Sequence, residues 1–158
     1  MTTWLVTGGA GYIGAHVVRA FLDRGLDVVV VDNLSSGHAE FVPADVPFVR
    51  ANVCDLPRVT AALREYRVDG VVHLAAFKYA GVSVERPLHT YEQNVTGTVT
   101  LLRAMRDTGV AAIVFSSSAA VYGTPETGLV TEATPTAPES PYGETKLIGE
   151  WLLRDEAR

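Results

Sequence analysis

Short, nearly continuous apolar runs alternate along the chain with stretches whose apolar residues recur every three or four positions. The runs at residues 3–8 (TWLVTG) and 27–32 (DVVVVD) are rich in β-branched residues and end in Gly or Asp, which predicts strands. Between them YIGAHVVRAFLDRG has helical spacing and closes on Gly25. Further strands are predicted at 47–53, 70–76 and 111–118, and helices at 57–66, 87–108 and from Tyr142 towards the end. Strands without polar alternation must be buried on both faces, so a parallel sheet covered by helices is expected. The fold class that follows is α/β, a Rossmann-type doubly wound sheet with strand order 3-2-1-4-5. In such a sheet ligands bind beyond the carboxyl ends of the strands.

Composition narrows the function classes. At 158 residues and 47% hydrophobic content, a single domain spanning 1–158 is the simplest expectation. Thirteen basic against eighteen acidic residues leave a formal charge of -5, which argues against nucleic acid and against an anionic membrane surface as partners. The start, MTTWLVTGGAG, lacks a signal-peptide pattern, and no apolar run is long enough to span a bilayer. Cys54 is the only cysteine, so an internal disulfide is impossible and a reducing, cytoplasmic setting is expected. His16, His38, His73 and His89 lack zinc-type spacing, so no metal is expected. Asn94-Val95-Thr96 fits a glycosylation pattern that a cytoplasmic chain would not use.

The first strand runs into Gly8-x-x-Gly11-x-x-Gly14. Glycines there allow a positive-φ turn, close approach of a diphosphate to the backbone, and tight packing of helix on strand, while the helix amino terminus faces the phosphates. An ordinary strand-to-helix turn would show the same glycines; their place between a strand and a helix favours a dinucleotide. Asp32 ends the second strand, where an acid accepts hydrogen bonds from ribose hydroxyls and repels a 2'-phosphate. No Arg follows in NLSSGH, which favours NAD over NADP. Asp32 also suits a turn before Asn33, a role compatible with the first.

The fifth strand ends in Ser116, Ser117 and Ser118, and after a loop rich in Thr, Pro and Gly come Tyr142 and Lys146, four apart on a helix and therefore on one face. A phenol that works as a base near neutrality needs its anion stabilised by roughly 3 to 4 kcal/mol, which a nearby ammonium and a cationic nicotinamide can supply. The competing reading is a surface tyrosine beside a solvated lysine.

With these residues in place, the chain resembles the extended short-chain dehydrogenase/reductases, and within them the NAD-dependent nucleotide-sugar epimerases. VTGGAGYIGAH, VVDNLSSG, VVHLAAFKYAGVSVERPLHTYEQNVTGT, FSSSAAVYG and SPYGETK follow that family's order nearly end to end. The glycine and Tyr-x-x-x-Lys motifs mark the superfamily; the passage from His73 to Thr98, with its SVERP segment, is more specific to the epimerases. The resemblance implies that Gly8, Gly11, Tyr12, Ile13 and Gly14 line the pyrophosphate, and that Asp32, Asn33, Ser35 and Ser36 hold the adenosine half. Asn52 and Val53 would face the adenine, Leu74, Ala75, Ala76 and Lys78 would lie along the cofactor's middle, and Asn94 and Ser116 would steady the nicotinamide half. Ser118 would hydrogen-bond the sugar hydroxyl, Tyr142 would take its proton, and Lys146 would hold the nicotinamide ribose and favour the Tyr142 anion; Lys78, Ser118 and Tyr142 would touch substrate.

The implied reaction interconverts UDP-galactose and UDP-glucose. A proton leaves the sugar 4-hydroxyl as hydride moves from C4 to NAD, and hydride returns to the opposite face of the resulting 4-keto sugar. Asn52 stands where the family has Asp, Val82 where it has Glu, and Ala120 where Thr is common. Family members are longer, with further strands and a carboxy-terminal substrate domain that would be missing here. Two alternatives stand beside the epimerase: a module that holds NAD without turnover, and a UDP-sugar dehydratase or decarboxylase, which needs an extra acid or base near the serines that SSSAAVYG lacks. The family also implies a homodimer through the helices at 87–108 and 142–157.

Overall fold

The computed structural model describes residues 2–125 and 128–157. In chain order the elements are β1 (Thr3–Thr7), α1 (Tyr12–Leu22), β2 (Asp27–Asp32), β3 (Phe48–Arg50), α2 (Leu56–Glu65), β4 (Gly70–His73), α3 (Ala80–Glu85), α4 (Pro87–Tyr91), a π-helical turn (Glu92–Thr96), α5 (Gly97–Thr108), β5 (Ala112–Phe115) and α6 (Pro141–Glu156). Short 3-10 turns lie at Ala39–Phe41 and Ala119–Tyr122. These elements form two compact units, Met1–Ala75 with Gly97–Ser116, and Ala76–Thr96 with Ser117–Arg158.

The first unit contains the whole sheet, parallel throughout and ordered β3-β2-β1-β4-β5. Leu5, Val6, Val29, Val30, Val31 and Val71 are fully or almost fully buried, so both faces of the central strands are covered, as continuous apolar runs require. On one face Val6, Val28, Val30 and Val72 pack with Val18 of α1 and Val46, and Trp4 meets Phe21 edge to face at 5.6 Å. α2 packs on α5, where Val59, Leu63 and Leu101 are buried.

β2 matches its apolar run, and the other four strands are shorter than the runs that predict them. The ladders stop at Thr7, Asp32, Arg50, His73 and Phe115, and not at residues 8, 53, 76 or 118. For β4 the cause lies partly in β1: past Thr7 the chain turns away at Gly8, with φ +74, so β4 beyond His73 has no β1 residue to pair with.

The second unit is helical. α6 packs on α3, on α4, on the π-helical turn and on the 3-10 turn Ala119–Tyr122. Its start is strongly encoded: Ser140 is the N-cap, its hydroxyl accepting the Gly143 N–H at 3.2 Å, and Pro141 occupies the first helical position. The predicted helix at 87–108 is interrupted by five residues of π-helix, and α3 is absent from the sequence-based expectation. α3 carries Gly81, Val82 and Val84, residues with weak intrinsic helix preference, and it packs on α6, so tertiary contact decides its state.

Candidate active site

In the first unit, the residues expected to hold a dinucleotide line the carboxyl end of the sheet: the glycine turn follows β1, Asp32 ends β2, Asn52 and Val53 follow β3, Leu74 and Ala75 follow β4, and Ser116 follows β5. The glycines are required by geometry. A Cβ on Gly8 would stand 2.8 Å from the Ala75 nitrogen, and one on Gly14 only 2.1 Å from the Gly8 carbonyl oxygen. α1 therefore starts hard against the turn. Its N-cap is Gly11, no side chain caps it, no acid lies in its first turn, and Tyr12 and Ile13 are exposed. An open, positively polarised helix end above a glycine cradle fits a diphosphate.

Asp32 is nearly buried, and its carboxylate accepts the Ala10 N–H at 3.1 Å and the Leu34 N–H at 2.7 Å. The Ala10 carbonyl accepts the His38 N–H at 2.9 Å, so the glycine turn and the loop after β2 are fastened to each other at both ends of one residue. Leu34 sits at φ 59, a left-handed conformation rare for Leu. Asn33, Ser35 and Ser36 are exposed on this loop, with the Asn33 side chain accepting the Ser35 N–H at 2.9 Å. The Asn52 side-chain oxygen accepts the Cys54 N–H at 2.9 Å.

Sequence reasoning missed what fixes Leu74 and Ala75. The Thr7 hydroxyl oxygen accepts both of their N–H groups, at 3.2 and 3.3 Å, and lies 2.7 Å from His73 Nδ1. On its other side, His73 Nε2 lies 3.1 Å from the Thr98 hydroxyl.

In the second unit, Tyr142 and Lys146 lie one turn apart on α6, with Lys146 Nζ 5.8 Å from the centre of the Tyr142 ring. Lys146 is 4% exposed, and burial pulls its pKa from 10.5 down to about 8. Ser118 caps the 3-10 turn, its oxygen accepting the Ala120 N–H at 3.2 Å. The neighbouring Ser117 hydroxyl donates to Glu150 of α6, tying the serine run to that helix. Lys78 is exposed, its ammonium 5.8 Å from the centre of the Tyr79 ring.

Asn94, expected at the nicotinamide, is buried in the π-helical turn. Its oxygen accepts the Phe77 N–H at 2.7 Å, and its nitrogen donates to the Phe77 carbonyl at 3.1 Å and to the Thr145 hydroxyl at 2.9 Å. Thr145 in turn donates to the Tyr142 carbonyl at 2.7 Å. Asn94 thus holds the segment before Lys78 and the turn carrying Tyr142. Tyr91 of α4 donates to the Glu144 carboxylate, which raises the Tyr91 pKa to about 12. Among the described residues, no three His, Cys, Asp or Glu side chains gather as a metal set, and no helix is long and apolar enough to cross a membrane.

Comparison with known proteins bears on both units. The family model described as the NAD dependent epimerase/dehydratase family matches residues 4–158. The chain is 45% identical over 151 residues to the UDP-glucose 4-epimerase of Azospirillum brasilense, covering 96% of this chain and 43% of that one. The crystal structure of UDP-glucose 4-epimerase from Brucella ovis in complex with NAD matches with a TM-score of 0.96 at 41% identity, over 99% of this chain and 48% of that one. The enzyme of the same name from Stenotrophomonas maltophila, with bound NAD and formylated UDP-arabinopyranose, matches with a TM-score of 0.94 at 42% identity, over 98% of this chain and 48% of that one. The chain thus spans about half the length of these relatives.

Proposed function

Because this chain belongs to the NAD dependent epimerase/dehydratase family, we propose that it is the NAD-holding and proton-transferring part of a UDP-glucose 4-epimerase, acting on UDP-galactose and UDP-glucose through a 4-keto sugar. The observation that carries this reading is Tyr142 and Lys146 on one face of α6, with Lys146 buried and its ammonium against the Tyr142 ring.

NAD, when bound, supplies a reversible hydride acceptor. Gly8, Gly11 and Gly14, with the amino end of α1, would take its diphosphate; Asp32, Asn33, Ser35 and Ser36 its adenosine ribose; Asn52 and Val53 its adenine. Leu74, Ala75, Ala76, Ser116 and Lys146 would contact its remaining half. Tyr142 accepts the proton from the sugar 4-hydroxyl and returns it when the sugar is reduced again. Lys146, charged below about pH 8, places a cation 5.8 Å from the centre of the Tyr142 ring. Ser118, whose oxygen already accepts the Ala120 N–H, has a hydroxyl proton to offer the same sugar oxygen. The single cysteine of the sequence supports a reducing, cytoplasmic setting. Leu88 of α4, 84% exposed, and Trp151 of α6, half-exposed, support pairing with a second copy through the helices at 87–108 and 142–157.

The experiment is conversion of UDP-galactose to UDP-glucose by the purified chain with NAD, beside a Tyr142→Phe control. A second reading, a module that binds NAD without turnover, draws support from the half-length match. It predicts NAD binding by calorimetry with no conversion.

A further inference from the structure

We propose that Ser83, in the segment SVERP, is a positioning residue for Tyr142: its hydroxyl oxygen accepts the Tyr142 backbone N–H and fixes where the turn bearing the phenol begins. This inference rests on the reading of Tyr142 as the proton acceptor.

The first four N–H groups of a helix have no partner within it. At the start of α6 the Glu144 N–H makes the first intrahelical bond, to the Ser140 carbonyl at 2.9 Å; of the three helical residues before it, Pro141 has no N–H to satisfy and the Gly143 N–H goes to the Ser140 hydroxyl. The remaining donor belongs to Tyr142, and it points at Ser83 Oγ, 3.1 Å away on α3. Ser83 is 0% exposed. Its own hydroxyl proton is donated to the Ala80 carbonyl at 2.5 Å, which leaves the lone pairs for Tyr142 and sets the direction of the bond. The Ser83 N–H goes to the Tyr79 carbonyl at 2.8 Å, so α3 itself is held.

The other side of the residue is held too. The Tyr142 carbonyl accepts from Thr145, and Thr145 accepts from Asn94. Both polar groups of the Tyr142 backbone therefore end on buried hydroxyls, one from α3 and one from α6. Sliding or rotating the first turn of α6 breaks the bond and leaves the buried Ser83 oxygen without the Tyr142 donor, and a misplacement of 1 Å at a reacting group costs about a hundredfold in rate. Ser83 hydrogen-bonds the Tyr142 backbone and no part of the phenol, which makes it a positioning residue and not a catalytic one.

Amide hydrogen exchange followed by NMR on this chain tests the proposal. The Tyr142 amide is expected to be protected in the wild type, although first-turn amides ordinarily exchange freely. In Ser83→Ala its exchange should quicken about tenfold, the loss of one buried hydrogen bond, while the Gly143 and Leu101 amides keep their rates. Ser83→Thr, which keeps the hydroxyl, should restore protection. In turnover of UDP-galactose, Ser83→Ala should lower kcat with KM little changed. A wild-type Tyr142 amide that exchanges as fast as an exposed loop amide overturns the proposal without any variant. So does a Ser83→Ala protein in which Tyr142 exchange is unchanged, or rises only together with Leu101. If Tyr142→Phe turns over like the wild type, the proton-acceptor reading fails, while the exchange pattern still decides what Ser83 holds.

Discussion

The Lys146 ammonium lies 5.8 Å from the centre of the Tyr142 ring while the lysine side chain is almost completely buried. A buried ammonium is stabilising for an anion beside it and costly for the fold that carries it. The two consequences are separable by experiment.

For the fold, burial moves the Lys146 pKa from 10.5 to about 8, a cost at neutral pH of up to about 3 kcal/mol. Lys146→Met, close in length and uncharged, should be more stable than the wild type at pH 7 in urea unfolding. Between about pH 8 and 10.5 the unfolded chain binds a proton that the folded chain does not, so the wild type gains stability as pH rises through that window. The advantage of the Met variant should therefore shrink above pH 8. Equal stability at pH 7 would show that the buried charge carries no cost.

Tyr91 shows the opposite sign. Its hydrogen bond to Glu144 holds the phenol proton up to about pH 12, so the stabilisation it brings is complete below pH 10 and is lost as pH rises from 10 to 12. Tyr91→Phe should lose about 1 kcal/mol at pH 7. Above pH 10 its deficit against the wild type should fade, which denaturant midpoints at several pH values will show.

Much of the first unit's site is legible in the sequence because each residue there answers a backbone demand. Gly8 must take positive φ, Gly14 must let α1 touch the turn, and Asp32 must end a strand. What holds the second unit together is less legible. Ser83 of α3 meets Tyr142, and Asn94 meets Phe77 and Thr145, across separations of 17 to 59 residues that no local spacing reports. The π-helical turn that carries Asn94 has no propensity signature of its own, and β4 ends before its apolar run does because apolar residues continue past the last partner on β1.

Gly14→Ala tests the close approach directly. The added methyl would fall 2.1 Å from the Gly8 carbonyl oxygen, a backbone atom that cannot yield without moving the turn. A loss of about 2 kcal/mol or more in unfolding free energy is expected, with a matching loss of NAD binding by calorimetry. A variant as stable as the wild type would mean that α1 does not start against the turn.

Asp32→Asn should weaken NAD binding about tenfold or more by removing a charged acceptor for ribose hydroxyls, and should narrow the preference for NAD over NADP. Calorimetric titration with each dinucleotide measures both. An unchanged ratio would remove Asp32 from the adenosine site.

The central claim is that Tyr142 takes the proton from a UDP-sugar 4-hydroxyl. Incubation of the purified chain with NAD and UDP-galactose, with products separated by chromatography, measures it most directly. UDP-glucose should form in proportion to wild-type protein and not with Tyr142→Phe; identical traces from the two proteins would contradict the account.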